Sequence, residues 1–176
     1  LALWDHLILT GKAYGMEVSS IRALTIRRIE GGILGNLMDI GITINPYQAG
    51  LKPFIQIDKE DFVGRESLLK CDKRKLLFGL TCKTATPSAG SFVFFIGEAV
   101  GRITAEVSSP TLVLGIGYIR FFKLGDWIGS TLKIQFSDSS MYFCDIIDVL
   151  FFDKEKEIVK GINRTIPNKN LVMSSN

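Results

Sequence analysis

Two hydrophobic rhythms divide the chain. Leu3, Trp4, Leu7 and Ile8 recur at helical spacing, predicting a helix over 2–13 that stops at Gly11 or Gly15. A second helix is expected from Ser19 or Ser20 to Ile29. Serine caps helix N-termini by accepting a backbone N–H, and Gly31-Gly32 supplies the C-terminal stop. Residues 35–46 carry little periodicity and read as an irregular crossing loop marked by Gly41 and Asn45-Pro46. Alternation over 54–58 (FIQID) predicts a short strand. A short helix follows within 59–71, with Glu60 or Asp61 near its start and Leu68 and Leu69 on its apolar side.

From Leu76 the rhythm changes to short β-type runs: 76–83, 91–96, 99–107, 113–121, 131–137 and 140–151. Turn clusters such as TPSAG, SSPT, KLGDWIG and SDSS separate them, which predicts a small all-β barrel or sandwich. Residues 94–104 read as a tight hairpin with Gly97 at the turn. The shift near 72–75 marks a domain boundary, and the polar stretch 163–176 reads as a frayed tail.

Composition narrows the function classes. Of 176 residues, 47% are hydrophobic and 22% charged, a globular and not a disordered profile. The net charge of +3 is scattered, and Arg27-Arg28 and Lys73-Arg74-Lys75 are too short for a nucleic-acid footprint. Every apolar window is broken by glycine or charge before it could span a membrane, and Asp5 and His6 interrupt any signal peptide. Cys71, Cys82 and Cys144 have no C-x-x-C spacing and are expected to be free thiols in a reducing cytoplasm. His6 is the only histidine, and is expected to be a partly exposed helix residue. That scarcity argues against a zinc site and against histidine-based triads. The chain opens inside a helical pattern with no methionine or cap ahead of it, which suggests a fragment.

Helical arithmetic separates the two arginines. At about 100° per residue, Arg27 lies near Ala23 and Glu30, where an i,i+3 ion pair is available. Arg28 shares a sector with Ile21, Leu24, Thr25 and Gly32, where an unpaired charge would be costly. It must snorkel, pair with a carboxylate such as Asp39 or Asp61, or face a cleft and fix an anionic group. Ser108 and Ser109 before Pro110 read as a turn whose hydroxyls bond the backbone. Phe121, Phe122 and Trp127 read as core or rim aromatics. Asp145 and Asp148 fall on opposite faces of a strand and form no acid–base pair, so no catalytic residue is assigned.

Five segments in order carry a family resemblance: IRRIEGGIL (26–34), NPYQAGL (45–51), IDKEDFVGRESLLK (57–70), VGRITAEVSSPTLVLGIGYI (100–119) and DVLFFD (148–153). Together they resemble the aminomethyltransferases, the family of the glycine cleavage T protein, over its C-terminal half. The wording RRIEGGIL…NPY…GL is closest to the dimethylsulfoniopropionate demethylase-like branch. The resemblance implies an α+β chain: a remnant of a folate-binding domain over 1–72, with two or three helices and a short strand, then an antiparallel all-β barrel over 73–162. It implies tetrahydrofolate as cofactor, folate as partner, a cytoplasmic location, and Arg28, Asn36 and Asp39 as folate-side residues.

Departures from the family pattern matter too. The Ala-Arg-Asp of T proteins reads Ala23-Leu24-Thr25 here, and the aromatic-Gly pair reads Asn36-Leu37, while the acid two further on is kept as Asp39. The catalytic aspartate and the Gly-Tyr-Thr-Gly-Glu segment lie upstream of the matched region in the family. This chain alone is therefore expected to be inactive unless another chain or segment supplies that half. The alternative is a degenerate, non-catalytic folate-binding or assembly module.

Overall fold

The computed structural model describes residues 1–135, 140–158 and 160–163. Three helices, α1 (Ala2–Lys12), α2 (Ile21–Glu30) and α3 (Arg65–Lys70), precede six strands. These are β1 (Leu77–Cys82), β2 (Phe92–Phe95), β3 (Glu98–Ser109), β4 (Leu114–Phe121), β5 (Thr131–Gln135) and β6 (Met141–Ile147). The strands close an antiparallel barrel in the order β1-β4-β3-β2-β5-β6, the α+β arrangement expected. The β2–β3 hairpin turns at Ile96 and Gly97, both at positive φ, as a two-residue turn matched to strand twist demands.

Strands β1 and β4 are buried on both faces, whereas β3 keeps Arg102 and Ser108 exposed. Phe78, Leu80, Cys82, Ile103, Ile119 and Phe121 fill the barrel interior, with Trp127 stacked on Phe121 at 4.4 Å. On the outer face Leu77, Ala105, Ile116 and Tyr118 pack beneath Ile29 of α2 and Phe151. This second layer explains the nearly continuous apolar run of β1 and the alternation of large side chains with glycine in β4. A Cβ on Gly117 would lie 2.3 Å from the Ala105 carbonyl oxygen, so the backbones of β3 and β4 approach there as only glycine allows.

Several expectations fail for identifiable reasons. Residues 54–58 form no strand: Lys52–Phe54 make a 3₁₀ turn around Pro53, and a closed barrel offers no free edge for pairing. The third helix begins at Arg65 and not near Glu60 or Asp61, because Gly64 precedes it at φ 89°, outside helical space. Helix α1 forms, but none of its residues is buried, and Leu3, Trp4 and Leu7 are exposed. β6 ends at Ile147, so Asp148 lies beyond the strand and pairs with Lys75. Phe122 is 53% exposed, a rim position. Residues 136–137 of the β5 run, and all of the tail except Asn163, lie outside the described residues. Among the described residues no helix is long and apolar enough to cross a membrane.

Candidate functional site

The site is built where α2 ends. Ser20 caps its start by accepting the Ala23 N–H at 3.1 Å. At its end Ile33 N–H donates to the Arg28 carbonyl and Gly32 N–H to that of Ile29, with Gly32 at φ 71°. This is a Schellman stop. A Cβ on Gly32 would also sit 2.7 Å from Leu150, so the glycine serves both the stop and close packing against the chain's closing segment.

The two arginines diverge onto different partners. Arg27, 58% exposed, donates to the buried Glu30 carboxylate at 3.1 Å, and Ser109 Oγ donates to the other oxygen of Glu30 at 2.5 Å. Ser109 also accepts the Leu112 N–H, the backbone bond expected of it in the turn, and its bond to Glu30 goes beyond that role. Arg28 Nη1 donates to Asp39 Oδ2 at 2.8 Å and to the Ile33 carbonyl at 3.0 Å. Asp39 is fully buried. Besides Arg28 it accepts the Gly35 N–H at 2.7 Å and the Thr104 hydroxyl at 2.6 Å. A charged acceptor with three short donors is a fully satisfied buried hub.

A β-bulge lies at the Thr104 contact. Thr104 follows the inward Ile103 onto the outer side and reaches Asp39, and the β3–β4 register shift between Ile103 and Ala105 keeps Ala105 on that side as well. Tyr118 lies under the same corner. Its hydroxyl lies within donating distance of the Ile29 and Ile33 carbonyls, each 3.2 Å away, and burial raises its phenol, keeping it protonated. Neither Thr104 nor Tyr118 stands out in the sequence, because a bulge leaves no local signature and the tyrosine reads as an ordinary strand aromatic.

Arg28, Asn36 and Asp39 thus gather at one corner, Arg28 and Asp39 bonded and Asn36 exposed beside them. Asn36 Oδ1 accepts the Leu37 N–H, and a single parallel bridge pairs Asn36 with Ile40. Leu37 and Met38 stand exposed next to it. Arg28 commits Nη1 only. Its other nitrogens take no protein acceptor among the described residues, and since no buried side-chain nitrogen lacks a partner, they reach solvent. The corner can therefore offer a guanidinium edge, an amide and an apolar shelf to an anionic, planar ligand. Among the described residues there is no group of three or more His, Cys, Asp or Glu side chains that could hold a metal, and all three cysteines are free.

No family model matches the chain. It is 29% identical over 160 residues to the aminomethyltransferase of Caldanaerobacter subterraneus subsp. tengcongensis, covering 88% of this chain and 42% of that protein. It is 31% identical over 138 residues to the aminomethyltransferase of Alkaliphilus oremlandii, covering 76% and 38%. It is 33% identical over 136 residues to the probable aminomethyltransferase of Pyrococcus furiosus, covering 70% and 34%. The glycine cleavage system aminomethyltransferase T from Bartonella henselae shares the fold, with a TM-score of 0.65 at 22% identity over 75% of this chain and 38% of that one. The chain thus spans about two-fifths of the length of these relatives. Consistent identity over most of its length, with a barrel and helices in the same arrangement, places this chain in the aminomethyltransferase family, over the family's C-terminal region.

Proposed function

We propose that this chain forms one side of a tetrahydrofolate-dependent one-carbon transferase, with residues 1–72 on the folate side and the barrel of 73–162 closing behind them. The observation that carries this reading is its match to proteins named aminomethyltransferase over 70–88% of its length. Folate, when bound, would supply the nitrogen that carries the one-carbon unit. This chain's own part is to hold and orient it. Asp39 fixes the Arg28 plane, the solvent-facing edge of Arg28 receives a carboxylate, and the Asn36 amide and the Leu37–Met38 shelf meet the planar ring. The wording of 26–34 and 45–51 favours the demethylase-like branch, acting in the cytoplasm.

Proton steering in this family falls to a carboxylate outside the matched residues, so the chain by itself is expected to be inactive and to work with a companion segment. The exposed apolar side chains of α1, with Leu24 and Leu37, support such a companion.

Calorimetry with tetrahydrofolate tests the proposal, on this chain alone and with the N-terminal region of a relative supplied in trans. Binding only in the mixture is expected. Asn36→Ala should weaken it about fivefold, or about 1 kcal/mol, with an unchanged melting temperature. If the assembled mixture fails to bind folate, the assignment falls and a non-catalytic assembly module is the better reading.

A further inference from the structure

Strands β1 and β6 close the barrel with the register Gly79↔Ile147, Leu80↔Ile146 and Thr81↔Asp145. Each step forward on β1 is a step back on β6, so the next pair is Cys82 and Cys144. The strands stay adjacent there, since the Cys82 thiol reaches the Phe143 carbonyl at 3.4 Å. Both cysteines are 1% exposed and belong to the barrel's interior cluster, which puts their sulfurs on the same face of the sheet. Opposed residues on antiparallel strands have Cα atoms about 4.5–5.5 Å apart, inside the disulfide range of about 4.4–6.8 Å. We propose that Cys82 and Cys144 are a redox pair that a peroxide converts to a disulfide across the closing seam of the barrel. The proposal is independent of the folate reading.

The surroundings assign the two sulfurs different tasks. Cys82 ends β1, and the next residues, Lys83 and Thr84, line a cavity of about 400 Å³ with Ala85, Thr86, Ser108 and Gly115. Thr84 Oγ1 lies 3.9 Å from Cys82 Sγ. On this proposal a molecule the size of hydrogen peroxide enters from that cavity, while a sulfur only 1% exposed is closed to a bulky disulfide reagent. Cys144 lies deeper. Burial, with Cys82 beside it, pushes the Cys144 thiol up to about 12, so Cys144 is protonated at neutral pH and is assigned the second step.

The chemistry balances in two steps. Cys82 sulfur attacks one peroxide oxygen and the O–O bond breaks, leaving a sulfenic acid and one water. Cys144 sulfur then displaces the sulfenic hydroxyl: the S–S bond forms, the S–O bond breaks, and the second water carries away the Cys144 proton. Two thiols lose two electrons and the peroxide gains them. The product pins a seam of three paired positions, where β1–β4 has six. Cys71, whose thiol donates to the Leu68 carbonyl, lies outside the barrel.

The test uses the whole chain carrying Cys71→Ser, treated with hydrogen peroxide or with oxidised glutathione, then alkylated under denaturing conditions. Peroxide should yield a protein two hydrogens lighter, with a peptide linking Cys82 to Cys144 and a melting temperature several degrees higher that reverts under dithiothreitol. Oxidised glutathione should leave both thiols free. Cys144→Ala should stop the reaction at a Cys82 sulfenic acid that dimedone traps. Two free thiols after peroxide, over-oxidation without a link, or a link formed only once the protein unfolds would each overturn the proposal.

Discussion

Asp39→Ala offers the sharpest test of how α2 is held to the barrel. The substitution strips Arg28, Gly35 and Thr104 of a common acceptor that is fully buried. Removing one partner of a buried ion pair costs about 3–5 kcal/mol. Arg28 is 16% exposed and can recover some hydration, so about 4 kcal/mol is expected, in the middle of that range. Asp39→Asn keeps the shape and one acceptor oxygen, and its amide can donate to a rotated Thr104 hydroxyl. It should cost about 2 kcal/mol, the worth of a charge-assisted bond.

Because the barrel interior does not contain Asp39, the loss should appear first as local opening and not as global unfolding. Amide hydrogen exchange is the assay. A 4 kcal/mol loss corresponds to roughly a thousandfold faster exchange across residues 28–40, while Ile116, Tyr118 and Ile119 on β4 change little. Arg28→Met should couple to Asp39→Ala by about 2–3 kcal/mol in a double-mutant cycle. Exchange in 28–40 within about fivefold of wild type, or no coupling, would refute the hub.

Three further outcomes follow from the same geometry. Ser109→Ala leaves one oxygen of buried Glu30 without its donor and should destabilise by about 2 kcal/mol in urea denaturation, whereas Ser108→Ala, at an exposed position, should be near neutral. Gly117→Ala drives a Cβ against the Ala105 carbonyl and should cost about 3 kcal/mol, read as a lower urea midpoint at unchanged slope. Burial raises the Glu106 carboxyl above its ordinary range, outweighing the N–H bond from Ala89. The folded state therefore holds its proton more tightly, and the associated stability is lost as pH rises through the folded value. Glu106→Gln should raise the melting temperature at neutral pH, and the gain should vanish below the ordinary glutamate range.

How far the sequence was legible depended on whether the signal was local. Ser20 and the Gly31-Gly32 pair bracket α2 because caps and stops act within one turn, and the structure places the helix between them. The strands were legible because turn residues separate them. The failure at 54–58 shows the limit of periodicity: alternation describes a surface suited to a sheet, and no edge is free to receive it. Arg28 could be singled out by helical angle, but the choice between Asp39 and Asp61 could not be made. It depends on where the chain returns after Gly35, and on the outward Thr104 of β3, which meets the same carboxylate.

That bulge also explains why one strand serves both acids. Beyond it, Ala105, Val107 and Ser109 all lie on the outer face of β3, paired with Tyr118, Ile116 and Leu114. Thr104 therefore meets Asp39 at one end of this run and Ser109 meets Glu30 at the other, with the apolar layer around Ile29 between them. Apolar burial is non-directional and would hold α2 on the barrel at many angles. Hydrogen bonds to buried carboxylates tolerate little misalignment, so two of them spaced along one strand fix the helix in both angle and position. The Phe152 N–H, bonded to the Glu30 carbonyl, and Lys156, bonded to the Gly31 carbonyl, brace the helix end from the far side. The end of α2 that carries Arg28 is in this way held in place by the protein alone, which is what a guanidinium edge needs if it is to act as the oriented site proposed above and not as a mobile surface charge.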